Sequence, residues 1–175
     1  SKSFFANKIL DDITLSIVPG KLTTLLGENG SGKSTLLNIL SGFELPDSGE
    51  VTYCDEPLDK MNFSHVHDIF FVHENINYIL SLNMDEYIHL LKKEIPKWDD
   101  EFFNKMVKDR KINLKNNYQN FSRGQKMQIA LMIGLASNAS ILLLDEITSV
   151  IDVYGRKYFL DLLGQYVKSG KTVVM

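Results

Sequence analysis

Apolar and polar positions along the chain alternate between short runs and longer stretches of helical period. Ile13, Leu15 and Ile17 alternate with Thr14 and Ser16, which predicts a half-buried strand ended by the Pro19-Gly20 turn. Leu22 to Leu26, apolar with two threonines, reads as a buried strand, and Leu36, Leu37, Ile39 and Leu40 then set a helical pattern that Gly42 terminates. Pro46-Asp47-Ser48-Gly49 is a turn, and Glu50 to Tyr53 returns as a strand. Ile69 to Val72 is a further short buried strand. Two helices follow, Met84 to Lys93 and Asp99 to Arg110, separated by Pro96. The second carries Phe102, Phe103, Met106 and Val107 on its apolar side and acids at its front. Ser122 caps a helix whose Ile129, Ala130, Ile133 and Leu135 predict burial along most of its length. Ile141 to Leu144 is apolar throughout, as a parallel strand covered on both faces must be, and it ends in Asp145-Glu146. This alternation predicts an α/β fold with a mostly parallel sheet.

The chemistry concentrates at Gly27-Glu28-Asn29-Gly30-Ser31-Gly32-Lys33-Ser34, which fits the G-x-x-x-x-G-K-[ST] phosphate-binding pattern with no mismatch. A strand precedes it and a helix follows. In that context the backbone N–H groups of Asn29, Gly30, Ser31 and Gly32 wrap an anion, helped by the partial positive charge of the helix N-terminus. Lys33 reaches the β- and γ-phosphates, the Ser34 hydroxyl binds Mg²⁺, and Thr35 caps the helix or touches a phosphate. The ligand predicted is a nucleoside triphosphate. Phe5 either stacks on an adenine face or packs in the core. Asp145 and Glu146 stand at the carboxyl end of a strand, where open α/β sheets bind ligands; without catalysis they would only open a helix. Ser122 and Gly124 form a second helix N-terminus able to receive an anion, or else an ordinary serine cap.

Composition narrows the classes. With 175 residues, 44% hydrophobic and 23% charged, the chain supports one domain with a real core. A net charge of −3 and a pI near 5.8 argue against a nucleic-acid surface as the main business. Cys54 is the only cysteine, so no disulfide framework or cysteine metal cluster arises, which suits a reducing cytosol. No signal-peptide pattern is visible in the sequence and no apolar run in it is long enough to span a bilayer.

Taken together, the motifs resemble the ATP-binding subunit of an ABC transporter over essentially the whole chain. Those that carry the resemblance are the phosphate loop, the signature-like Phe121-Ser122-Arg123-Gly124-Gln125, and the strand ending Asp145-Glu146, in the family's order. Leu10-Asp11-Asp12-Ile13, Gly42 with Pro46-Asp47-Ser48-Gly49-Glu50, and Thr148-Ser149-Val150-Ile151-Asp152 also look like the family. Pro96-Lys97-Trp98-Asp99 resembles a stretch of bacterial exporter ATPases of the bacitracin-resistance and multidrug kind.

The resemblance implies a P-loop NTPase domain with a mostly parallel core, an antiparallel β subdomain and an inserted α-helical subdomain. The catalytic core would comprise residues 1–73 and 138–175, and the helical subdomain about 74–137. It implies ATP and Mg²⁺, with Ser34 and Asp145 at the metal and Glu146 as the general base. Glu74 falls where the family has a metal-touching glutamine; a one-residue shift would put His73 there, and a plain loop acid is the alternative. Ser122, Gly124 and Gln125 would close over the ATP of a second domain, identical or homologous, and Asp152 would lie in the loop that feels the partner's site. A transmembrane subunit would contact the helical segment around Glu74 to Asp99, keeping the domain cytoplasmic on the inner membrane face.

Arg123 stands for a glycine of the common signature, Ile147 for a proline and Val150 for a glycine. Gly170 to Met175 looks like the strand leading to the family's histidine, so the chain reads as a domain clipped at both ends. The favoured function is ATP hydrolysis powering transport, with export expected; the alternatives are a soluble ATPase of translation or repair, or a non-hydrolysing regulator.

Overall fold

In the computed structural model, residues 1–5, 7–58, 66–73, 82–145 and 150–175 are described. The core is a four-stranded, all-parallel sheet made of β3 (Leu22–Thr23), β8 (Thr172–Val174), β7 (Ile141–Leu144) and β6 (Ile69–Val72), in that spatial order. Leu142 pairs with Phe70 on one side and Val173 on the other, so the all-apolar run of β7 occupies the sheet centre. Its Leu142, Leu143 and Leu144 are buried, each contributing about 1.5–3 kcal/mol by removal from water.

Helix α4 (Arg123–Ala136) covers one face of the sheet, buried from Met127 through Ala136. The helix packs unusually closely at Gly134, where an added Cβ would lie 2.6 Å from a Val72 methyl and 3.0 Å from one of Leu142. Against the same core pack α2 (Met84–Glu94) and α3 (Asp100–Asp109), through Met84, Ile88, Phe103 and Met106. Both start where the sequence signals them: Asn83 and Glu86 form a reciprocal capping box, and the Asp99 carboxylate accepts from the Phe102 N–H at 2.9 Å. Helix α5 (Val153–Lys168) buries Phe159, Leu162 and Leu163 in that core. On the other face, Leu37 of α1 (Lys33–Leu40) packs with Leu143 and Val174.

Among the described residues, antiparallel strands form two separate hairpins, β1 (Lys2–Phe4) with β2 (Asn7–Leu10), and β4 (Thr52–Tyr53) with β5 (Glu56–Pro57). Cys54 and Asp55 turn the second hairpin with φ of 51° and 66°, as a two-residue loop requires. Gly42 ends α1 at φ +79°, with its N–H donating to the Ile39 carbonyl.

Two strand expectations are corrected. Ile13 to Ile17 forms no strand: no neighbouring backbone among the described residues pairs with it, and Ile13 and Leu15 are exposed. Period-two alternation supplies a face to bury but not a partner for the backbone. Ile13, Leu15 and Ile17 instead rim a cavity of about 650 Å³ floored by Leu36, Ile39 and Leu143. The strand expected over Leu22 to Leu26 stops at Thr23, although the Leu25 N–H still donates to the Met175 carbonyl at 2.6 Å. Beyond it Leu26 is exposed as the chain turns into the glycine loop.

Candidate active site

The loop that joins β3 to α1 has the backbone its glycines permit. Gly30 and Gly32 sit at φ of +82° and +92°, and Gly32 is the N-cap residue of α1. A Cβ on Gly27 would lie 2.5 Å from the Ser31 hydroxyl, and one on Gly32 within 3.2 Å of Ile9 and Leu10 of β2. The loop therefore folds tightly on itself and against the first hairpin. Within it the Lys33 ammonium donates to the carbonyls of Gly27 at 2.9 Å and Glu28 at 2.8 Å, which holds the cation at the loop. The cap belongs to Gly32 rather than Thr35, and no side chain caps α1, so its first N–H groups remain available to an anion.

Across the sheet, Asp145 follows the last residue of β7 and donates its N–H to the Val72 carbonyl at 2.9 Å. Its carboxylate accepts from the Ser34 hydroxyl at 3.0 Å, over a sequence separation of 111 residues. The fold thus brings two of the predicted metal ligands into contact next to Lys33. Such an oxygen pair fits Mg²⁺, which takes one or two protein ligands and keeps water and phosphate for the rest. Among the described residues no cluster of three or more His, Cys, Asp or Glu offers an all-protein metal site. Glu146 and Glu74, expected as base and metal ligand, lie outside the described residues, as do Thr148, Ser149 and Tyr78 to Leu80.

His73, the alternative to Glu74, stacks on Phe71 with ring centroids 5.0 Å apart and meets Phe43 edge-on at 6.0 Å. Burial holds its imidazole below the usual value, with the Asp145 charge partly opposing. Phe5 is fully solvent-exposed at the first hairpin, which removes the core reading of that residue.

The second helix N-terminus singled out in the sequence, at Ser122, is also formed. Ser122 N-caps α4 through a full capping box: its hydroxyl accepts from the Gln125 N–H at 3.2 Å, and the Gln125 amide oxygen accepts from the Ser122 N–H at 3.0 Å. Gly124 lies where a Cβ would approach the Val150 carbonyl to 2.8 Å, so the first turn of α4 packs against the chain just before Asp152. Asp152 N-caps α5, accepting from the Gly155 N–H at 2.8 Å. That bond, and next the Arg110 guanidinium, keep the Asp152 carboxyl below the ordinary carboxylate range.

Sequence reasoning missed the polar network behind this element. Arg110, the C-cap residue of α3, donates to the buried Gln128 of α4 at 2.9 Å and to Asp152 at 3.2 Å. Its guanidinium lies over the Tyr158 ring, whose hydroxyl donates to Asp109 at 2.9 Å. A basic residue closing an acid-fronted helix was the available signal, but its partners lie 18 and 42 residues away.

A glycine loop at a helix N-terminus, a lysine held within it, and a serine–aspartate pair at the carboxyl edge of a parallel sheet define a P-loop nucleotide-binding domain. Residues 10–149 match the ABC transporter family. The chain belongs to that family, as one of its ATP-binding, ATP-hydrolysing domains. It is 32% identical over 180 residues to an energy-coupling factor transporter ATP-binding protein of Mycoplasmopsis pulmonis, covering 97% of this chain and 67% of that protein. Among solved structures it is similar to a dimeric post-hydrolysis state of an ATP-binding cassette bound to ADP and Pi, at 27% identity and a TM-score of 0.79, over 95% of this chain and 78% of that one. An ATP-binding subunit of an ABC transporter shares the fold at 17% identity with a TM-score of 0.84, over 99% of this chain and 75% of that one.

Proposed function

We propose that this domain hydrolyses ATP to power the movement of a substrate across a membrane, as the ATPase subunit of an ABC transporter. The observation that carries the reading is the Ser34–Asp145 contact beside the Lys33-bearing loop. In that reading the loop amides of Asn29 to Gly32 cradle the phosphates, Lys33 neutralises them, and Phe5 offers its exposed ring to the adenine. Ser34 and Asp145 would hold Mg²⁺, which would supply charge neutralisation for the phosphates when bound. Glu146 orients the attacking water and accepts its proton.

The assembly follows from the two helix N-termini. A chain with one phosphate loop and one capped signature helix completes two ATP sites when two such domains meet head to tail, each lending Ser122, Gly124 and Gln125 to the other's nucleotide. The likeness to a cassette solved as a dimer supports that arrangement. Residues 1–73 and 138–175 act as the catalytic core and about 74–137 as the helical subdomain that meets the membrane subunit. In this reading a transmembrane partner holds the domain on the cytoplasmic face; no helix among the described residues is itself long and apolar enough to cross a membrane. Export is the direction suggested by the resemblance of Pro96-Lys97-Trp98-Asp99 to a stretch of bacterial exporter ATPases. In the fold those residues have structural partners: Trp98 packs on Phe103, Asp99 caps α3, and Lys97 pairs with Asp68.

Turnover measured across a dilution series, with retention of a hydrophobic membrane subunit on purification, tests the reading. A specific activity that holds constant in a monomer without any partner would overturn it.

A further inference from the structure

We propose that Arg110 is a positioning residue for ATP hydrolysis, holding the signature helix in register with Asp152, which stands six residues after Glu146 in the chain. The inference rests on the ATPase reading above. Arg110 touches neither the phosphate loop nor Asp145, so it acts through others.

Its guanidinium is a fork. One arm, Nε, donates to Gln128 at 2.9 Å, and a terminal nitrogen donates to Asp152 at 3.2 Å. Gln128 is 6% exposed and stands six residues after Ser122 on the same rigid helix. Asp152 begins α5 and ends the segment that leaves Asp145. A single side chain therefore ties the helix bearing Ser122 to the chain at the start of α5. The same two elements touch a second time where Gly124 meets the Val150 carbonyl, and that contact admits no Cβ without displacement.

The fork is itself held from three sides. The Arg110 backbone is fixed at the C-cap of α3, where its N–H donates to the Met106 carbonyl at 3.0 Å. Its guanidinium lies 5.8 Å from the Tyr158 ring centroid, and Tyr158 is tied in turn to Asp109. Gly155 leaves the space: a Cβ there would lie 2.8 Å from the Arg110 terminal nitrogen. A group on which α3, the signature helix and the start of α5 all meet fixes how those three elements sit against one another. A lysine could keep the charge and the stem over Tyr158, but a single ammonium cannot reproduce the fork.

The test is steady-state ATP turnover of the full natural protein with its membrane partner, for wild type, Arg110→Ala and Arg110→Lys. Binding of a fluorescent ATP analogue and the melting temperature are measured on the same samples. The expected result is a fall in kcat of about tenfold or more in both variants, with analogue affinity and KM within about twofold of wild type. Arg110→Lys is expected to melt close to wild type and yet remain slow, which a merely structural role would not produce. Wild-type turnover in Arg110→Lys, or losses of kcat and analogue affinity that track the melting temperature, would overturn the inference while leaving the ATPase reading intact. Absence of turnover in the wild type would overturn both.

Discussion

Replacing Gly134 by Ala sets two opposed effects against each other, and the close approach of α4 to the sheet decides between them. In a helix interior, Gly→Ala is worth about 1 kcal/mol in favour of the fold, through backbone entropy and helix propensity. At Gly134 the new methyl would lie 2.6 Å from a Val72 methyl, 3.0 Å from one of Leu142 and 3.4 Å from the Phe70 ring. Carbon atoms in optimal contact sit about 3.5–4.0 Å apart, so roughly 1 Å must be found at Val72. Val72 and Leu142 are fully buried on paired strands, and a β-branched valine has little rotamer freedom with which to retreat. Overpacking of this kind costs about 1–3 kcal/mol, which outweighs the propensity gain. The internal control is Gly164, in the interior of α5, where a Cβ meets nothing within 4 Å. Gly164→Ala should stabilise by about 1 kcal/mol and Gly134→Ala should destabilise by up to about 2 kcal/mol. For a domain of this size each kcal/mol moves the melting temperature by about 2–4 °C. Urea unfolding of both variants, read by circular dichroism at constant m-value, measures the difference. If Gly134→Ala is as stabilising as Gly164→Ala, α4 does not lie on β6 and β7 as described.

Lys33→Ala should weaken ATP binding by about 1.5–3 kcal/mol, the worth of a charge-assisted contact, or roughly ten- to a hundredfold in Kd by titration calorimetry; unchanged affinity would remove Lys33 from the phosphate site. Glu146→Gln should slow turnover by orders of magnitude while ATP stays bound in a dimer, seen by single-turnover assay with size-exclusion chromatography. His73, whose imidazole is held down by burial, binds fewer protons in the fold than in the unfolded chain. Its neutral form is the folded form, so its contribution is intact above about pH 6.5 and is lost as pH falls below that value. Stability measured from pH 7.5 to 5 should therefore fall less steeply in His73→Phe than in wild type; identical slopes would show that His73 is not the group responsible.

Much of this was legible before any coordinates, and the reason is local. The central strand β7 announces itself because a strand buried on both faces has no polar positions, and the cap at Ser122 announces itself because it satisfies an N–H group three residues on. The phosphate loop is legible because its geometry is written in glycines that sit at positive φ. Ile13 to Ile17 misled for the converse reason: alternation reports a face, while a strand needs a neighbour, and that neighbour is specified by distant residues. Arg110 was illegible on the same ground. Its role lies in Gln128 and Asp152, and nothing within a helix turn of it hints at either.

The Ser34–Asp145 pair depends most on topology. Ser34 follows β3 and Asp145 follows β7, yet these strands are not neighbours, because β8 lies between them. Two strand spacings put their ends about 9–10 Å apart, too far for a serine and an aspartate on adjacent strand tips to touch directly. The glycine loop closes that gap. It ends at α1, in whose first turn the Ser34 hydroxyl donates to the Asp145 carboxylate at 3.0 Å. The bonds Leu25 N–H to Met175 and Met175 N–H to Thr23 extend the β3–β8 ladder beyond its last strand pair and tie the chain leading into the loop to that strand end. Loss of β8 pairing would accordingly separate Ser34 from Asp145 even with every residue of the phosphate loop intact, so the metal pair is a property of the sheet order as much as of the motif.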